Sequence, residues 1–298
     1  MKVSVVIPVF NAEPFLRQAL ISVLSQNHAD LEVVLIDDGS TDRSAEVATA
    51  MDDPRIRLVR QPNRGIVEAL NRGLDEASGQ LIARMDGDDE MMPGRLAAQV
   101  DFLRRNGRIL ACGTDYDLFG TASGRVRTPH RPTHCRARLL FGSPMAHPAV
   151  MIRRSALDGN GLRYRAAFGG AEDFRLFSEL AEFGELANLP MIGLRYRRHA
   201  GQLSAVARSA QRGVHLRICL DNLRAVGVTD VSAATLRAWL WPLEDPGSGA
   251  TGYLRTVPGL LRTAHRGAGT AGIATASWLI RENLGGLRHQ ARTATPSP

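Results

Sequence analysis

Short apolar runs rich in β-branched residues alternate with stretches of helical periodicity through the first third of the chain. Residues 3–7 form one such run, closed by Pro8, the pattern of a strand buried on both faces. Phe15, Leu16, Ala19, Leu20, Val23 and Leu24 then recur at helical spacing, which predicts an amphipathic helix over 14–26. Strands follow at 31–36, 56–59 and 81–85, and helices at 43–51 and 66–77 and after Pro93. Ser40, Thr41 and Asp42 suit the capping of the second helix. Such alternation predicts an α/β fold, a mostly parallel sheet with helices on both faces.

The pattern changes further along. Residues 118–131, rich in Gly, Thr, Arg and Pro, suit a hairpin or loop, and 145–152 predict another strand entered through His147-Pro148. The last third reads as helices over 204–226, 231–241, 252–265 and 271–292, with the clearest break at 240–247. Residues after Arg292 have a disordered composition.

Each predicted strand ends in polar residues. Pro8-Val9-Phe10-Asn11 follows the first, Asp37-Asp38 the second, Gln61-Pro62-Asn63-Arg64-Gly65 the third and Asp86-Gly87-Asp88-Asp89 the fourth. Polar loops past the carboxyl ends of parallel strands lie where α/β sheets bind ligands. Four acids within residues 86–90 repel one another unless they face water or a cation. Asp86 and Asp88, separated by a Gly, can present oxygens to Mg²⁺ or Mn²⁺, whose shells substrate phosphates commonly complete. A metal–diphosphate site is the first expectation. No Gly-x-Gly-x-x-Gly follows the first strand and no Gly-x-x-x-x-Gly-Lys-Ser/Thr occurs, which argues against a dinucleotide dehydrogenase and a P-loop NTPase.

Charge sharpens the division of the chain. The net charge is +7, yet residues 195–298 hold 14 Arg against five acids, so the rest is slightly acidic. The Arg residues form no nucleic-acid motif and lack interleaved aromatics, so no nucleic-acid partner is expected. Cys112, Cys135 and Cys219 read as ordinary thiols of a reducing compartment. No signal peptide and no apolar run long enough to span a bilayer is visible, so a cytoplasmic location is expected.

Taken in order, Pro8-Val9-Phe10-Asn11, Asp37-Asp38-Gly39-Ser40-Thr41-Asp42, Asn63-Arg64-Gly65 and Asp86-Gly87-Asp88-Asp89 resemble the family 2 (GT-A fold) nucleotide-sugar glycosyltransferases, over about the first 205 residues. The resemblance implies a catalytic domain over 1–204, with a donor half to about 110 and an acceptor half from about 111, followed by a helical region over 205–298. By the same resemblance Pro8, Phe10 and Asn11 line the nucleotide pocket, with Glu13 and Gly65 as lesser contacts. Asp38 binds the base, Asp86 the ribose or metal, and Asp88 the metal. UDP is the default donor nucleotide. Leu70 stands before Asn71 where relatives often place Arg, which leaves the base open.

Gly169-Gly170-Ala171-Glu172-Asp173 precedes an apolar helical face of Phe174, Phe177, Leu180 and Ala181. Acids there suit the positive end of a helix dipole. The resemblance makes Asp173 the general base, with Glu172 beside it and His147 as a further acceptor-side candidate. Tyr196-Arg197-Arg198-His199 resembles an element that returns to the donor site, with Arg197 meeting phosphate and His199 completing the metal shell. A His ligand tilts the choice towards Mn²⁺.

One base opposite one metal-held leaving group implies inversion. The absence of a Gln-x-x-Arg-Trp motif and of transmembrane helices implies single-sugar transfer to a glycan or lipid-linked saccharide. The basic last helices, carrying Trp278, Leu279, Ile280, Arg281, Arg288 and Arg292, suit either peripheral contact with the inner face of a membrane or packing on the catalytic domain with a solvated Arg face. A nucleotidyltransferase and a non-catalytic protein on the same scaffold are the alternatives. The first wants a Gly-rich loop after the first strand, and the second has no need of Asp86, Asp88 and Asp173 together.

Overall fold

The computed structural model describes residues 1–199, 208–242 and 250–293. Packing divides it into two units, one of residues 1–132 with 144–211 and one of residues 133–143 with 212–298.

The first unit alternates strands and helices as the pattern predicts: β1 (Val3–Val9), α1 (Glu13–Leu24), β2 (Leu31–Asp37), α2 (Ser44–Thr49), β3 (Ile56–Arg60), α3 (Ile66–Glu76) and β4 (Leu81–Arg84). β3, β2, β1 and β4 lie side by side and parallel. Every residue of β1 is buried, because helices cover both faces. Val3, Val5, Ile7 and Val9 pack with Leu16, Ala19, Leu20 and Val23 of α1. Val6 points the other way, against α3, where a Cβ on Gly73 would come within 2.3 Å of its Cγ1. The absent side chain of Gly73 thus sets how closely α3 lies on the sheet.

Pro8 does not close the first strand, which runs through it to Val9. In a parallel ladder the even residues of β1 face β4, and that pairing covers only Val3 to Val6. The N–H that Pro8 lacks would point where β4 has already ended, so nothing is lost.

Beyond β4 the sheet becomes mixed. β5 (Glu90–Met91), α4 (Arg95–Arg105), β6 (Ile109–Gly120), β7 (Gly124–Val126), α5 (Pro132–Arg138), β8 (Met151–Arg153), α6 (Arg154–Asp158), α7 (Glu172–Phe183) and β9 (Glu185–Arg198) follow. The strand order is β3-β2-β1-β4-β8-β6-β9-β5, with β7 paired to β6 as the expected hairpin. β8 runs antiparallel to β4 and β6, β9 runs parallel to β6, and β5 antiparallel to β9.

The strand expected over 145–152 is cut short: His147–Ala149 is a 3₁₀ turn and only Met151–Arg153 pairs. Pro148 cannot donate to a ladder, and the carbonyls of this turn are claimed from elsewhere. The guanidinium of Arg95, fully buried in α4, donates to Pro148 O (2.8 Å), Val150 O (3.3 Å) and Arg84 O (2.9 Å). Burial lowers its pKa to about 9. Replacing Arg95 by Met removes the side-chain donor from Pro148 O and Arg84 O, while Val150 O keeps the N–H of Arg84 at 3.0 Å, and is expected to destabilise the protein by about 3 kcal/mol in urea denaturation.

The second unit contains α5 from Thr133 on, α8 (Arg208–Ala225, whose first residues belong to the other unit), α9 (Ala233–Leu240) and α10 (Ala250–Thr293). α10 is two helices joined at a break, since Ala268 (φ −151°) and Gly269 (φ 57°) leave helical geometry. That break separates the two helices expected from 252 and 271. Residues 204–207, the remainder of the 240–247 break after Pro242, and the tail after Thr293 lie outside the described residues.

Candidate active site

The loops after β1, β2 and β3 are tied into one rim. Asn11 takes the left-handed conformation (φ 53°) that Asn tolerates better than most residues. Its Oδ1 accepts the N–H groups of Thr41 (2.8 Å) and Asp42 (3.4 Å). Asp42 accepts the N–H of Glu13 at 2.9 Å, satisfying a free donor at the start of α1. Glu13 in turn accepts from Arg43 N (3.1 Å) and Nε (2.7 Å). The 40–42 loop therefore serves α1 as well as α2. Among the expected donor contacts, Asn11 and Glu13 brace this rim, Pro8 is buried in β1, and Phe10 stands 51% exposed beside it.

Asp38 is 4% exposed and both its oxygens are engaged. Oδ1 accepts from Gln61 Nε2 (2.7 Å) and Arg64 N (2.9 Å), and Oδ2 from Gly65 N (2.8 Å). It thus fixes the loop leading into α3. Gly65 sits at φ +86° with open space where a Cβ would be, so its requirement is conformational rather than steric.

The acidic loop after β4 brings Asp86, Asp88 and Asp89 together, with one ligand atom of each within 4.8 Å of the others. Arg84, buried at the end of β4, pairs with Asp86 at 2.5 Å. Among the described residues its Nε and Nη1 find no hydrogen-bond partner, nor does Asp89 Oδ2. Burial, opposed by Arg84 and reinforced by Asp88, raises the pKa of Asp86. Burial and then Asp86 and Asp88 push Asp89 well above the usual carboxylate range. A crowd of oxygens short of positive charge, one of them an orphan, fits a hard divalent cation.

β9 closes over this loop. Arg197 donates its N–H to Asp89 Oδ1 (2.8 Å), Nε to Asp88 O (2.7 Å) and Nη2 to Glu90 Oε1 (3.2 Å). Its guanidinium also lies over the rings of Phe15 (4.6 Å) and Phe119 (4.3 Å). Arg197, expected to meet phosphate, is placed as a clamp on the acidic loop. His199 Nε2 lies 2.8 Å from Asp88 Oδ2, its ring 4.9 Å from Phe15, so it touches the carboxylate cluster through Asp88.

Glu172 and Asp173 open α7. Glu172 Oε2 accepts the N–H of Gly170 at 2.7 Å, and Gly170 needs its positive φ of 87° to turn there. Asp173 is half-buried, and burial followed by the neighbouring Glu172 charge raises its pKa to about 7. Arg84 opposes that rise, as it does for Asp86, so one buried guanidinium serves both acidic groups.

His147 is buried against Tyr164 OH (2.8 Å) and the edge of Phe177. Burial and Arg84 lower its pKa well below the ordinary value, which keeps it neutral. Tyr164 is itself latched by Asn71, whose amide gives Nδ2 to Tyr164 O (2.9 Å) and accepts from Tyr164 N (3.0 Å). Sequence reasoning missed Arg84, Asn71, Tyr164 and Arg95. An Arg inside the apolar run 81–85 was the one signal that could have found Arg84.

The resemblance implies that Asp173 is a general base, which works ionised, and on that expectation kcat/KM should rise about tenfold per pH unit up to roughly 7 and level off above. Glu172→Gln removes the like charge and should move that limb to lower pH, as a pH profile of both proteins would show.

A mixed sheet with a rim of three loops and an acidic fourth is the GT-A glycosyltransferase fold. The glycosyl transferase family 2 model matches residues 4–159, and the chain belongs to that family of enzymes. An uncharacterized glycosyltransferase of Haemophilus influenzae is 28% identical over 235 residues, covering 74% of this chain and 73% of that one. Two other curated relatives are spanned over 57% and 63% of their length. Among solved structures, S. aureus TarS 1–349 in complex with UDP-GlcNAc superposes with a TM-score of 0.66 at 15% identity, covering 100% of this chain and 93% of that one. The mannosyltransferase PcManGT of Pyrobaculum calidifontis, in complex with GDP-Man and Mn²⁺, gives 0.55 at 17% identity, covering 100% and 76%. At these identities the two structures support the fold alone.

Proposed function

We propose that the chain transfers a single sugar, with inversion and with a divalent cation, from a nucleotide-diphosphate sugar to a hydroxyl of a glycan or lipid-linked saccharide in the building of cell-surface polysaccharide. The observation that carries this reading is the cluster of Asp86, Asp88 and Asp89 after β4, accompanied at the start of α7 by Asp173 with its raised pKa. UDP is the proposed nucleotide, supported by the donor in the TarS complex, and Mn²⁺ or Mg²⁺ the proposed cation, supported by PcManGT.

Asp86, Asp88 and Asp89 would hold the cation, with His199 orienting Asp88. When bound, the cation would neutralise the departing diphosphate. Phe10 offers its exposed ring to the base, and the rim built by Asn11, Glu13, Asp38 and Gly65 shapes the nucleotide pocket. Asp173 accepts the proton of the acceptor hydroxyl as that oxygen bonds to the anomeric carbon, and the bond from that carbon to the phosphate oxygen breaks. A single displacement of this kind inverts the anomeric centre. Glu172 holds the turn before α7, and His147, neutral and buried, supports Tyr164 on the acceptor side.

Residues 1–204 are proposed as the catalytic domain and 205–298 as a helical region. A lipid-linked acceptor is met at a membrane surface, so a cytoplasmic protein peripheral to the inner face belongs to the same reading. Incubating a panel of nucleotide sugars with saccharide acceptors should yield a glycoside of inverted configuration by NMR. A retained configuration would overturn the single displacement.

A further inference from the structure

We propose that the outward face of α10 is a docking surface for an anionic lipid bilayer, laid on the headgroups without crossing them. The inference deepens the peripheral placement above but uses no step of the transfer chemistry.

Each arm of α10 has a buried side and an exposed stripe. In the first arm Tyr253, Leu260 and Ala264 are buried, while Leu254, Arg255, Pro258, Arg262, His265 and Arg266 are exposed. At 100° per residue these exposed positions fall within one arc of roughly a third of the helix. In the second arm Ala276 and Leu279 are buried, and Ile273, Trp278 and Arg281 face outward. Leu254 is 50% exposed, Ile273 37% and Trp278 38%, large apolar side chains that the second unit does not cover.

Between residues 250 and 281 there is no acid, and Glu282 is the one acid in the sequence of α10, so the stripe carries a clear excess of cations. Among the described residues, Arg266 is the one cation of the stripe with an ion-pair partner, Asp230 at 2.5 Å. Arg138 lies over the Trp278 ring at 4.0 Å, adding a cation at the aromatic group.

Exposed aliphatic and aromatic groups interleaved with Arg match an interface that is anionic at its surface and apolar just beneath. Trp is at home at that depth, and Arg stems can lie along apolar surface while the guanidinium stays in water. A second copy of the same face would oppose Arg to Arg, which charge disfavours. No described helix is long and apolar enough to cross a membrane.

The test is flotation of the full chain with phosphatidylcholine vesicles, with and without phosphatidylglycerol. We expect flotation only with the anionic lipid, and release at high salt. Arg255→Gln and Arg262→Gln should each weaken partitioning about five-fold. Leu254→Ser with Trp278→Ser should weaken it further at unchanged charge. Circular dichroism and nucleotide-sugar binding, measured on every variant, should stay at wild-type values, so a failure here is separable from a failure of the donor reading. Absence from anionic vesicles, or flotation indifferent to all these substitutions, would overturn the proposal. So would a soluble dimer that the same substitutions dissociate.

Discussion

Replacing Asp173 by Asn is expected to lower kcat by about 10²–10⁴-fold while leaving nucleotide-sugar affinity within a few-fold of wild type. Asn keeps the size and polarity of the side chain but cannot accept the hydroxyl proton. The substitution should also change stability, with a sign that depends on pH. Burial raises the folded-state pKa of Asp173 to about 7, against an ordinary value of 3.8. A carboxyl with a raised folded pKa favours the folded state while protonated, and that advantage is lost as pH rises through 7. Asn should therefore raise Tm at pH 8 and leave it nearly unchanged at about pH 4. A loss of turnover with a higher Tm at alkaline pH would mark a group kept for chemistry at the expense of stability.

Removing the carboxylate of Asp88 acts on a different step. Asp88→Ala is expected to weaken cation-dependent donor binding by about 10²-fold or more, because one oxygen ligand of a small set is lost. His199 loses its hydrogen-bond partner in the same variant, whereas Arg197 bonds the backbone carbonyl of residue 88 and keeps its clamp. The loop should therefore stay folded, and its affinity for nucleotide sugar in EDTA should match that of wild type in EDTA. Calorimetric titration with and without Mn²⁺ separates the two contributions. An equal loss with and without the ion would place Asp88 in the nucleotide pocket instead.

Much of the donor side was legible in the chain because its elements are local. A β-branched run such as 3–7 has few alternatives to a buried strand, and the polar residues that end β1, β2 and β4 fall at one sheet edge once the strands are parallel. What escaped was set by distant partners. The run 81–85 reads as a buried strand interrupted by Arg84, and nothing in it announces the carboxylate of Asp86 that the buried guanidinium pairs with. Residues 145–152 have strand composition, but the guanidinium of Arg95 takes the carbonyls of Pro148 and Val150 and holds a turn there. The grip of Arg197 on the acidic loop follows from the pairing of β5 with β9, a contact across about a hundred residues that no periodicity records. Asn71 reaches Tyr164 over a similar separation.

The most direct test of the central claim is calorimetric binding of a panel of nucleotide sugars to the wild-type protein in Mn²⁺, in Mg²⁺ and in EDTA. At least one donor, expected to be a UDP-sugar, should bind with either ion and lose most of its affinity in EDTA. If no nucleotide sugar binds with either ion, the carboxylates of Asp86, Asp88 and Asp89 do not form a donor site, and the proposed transfer fails with it.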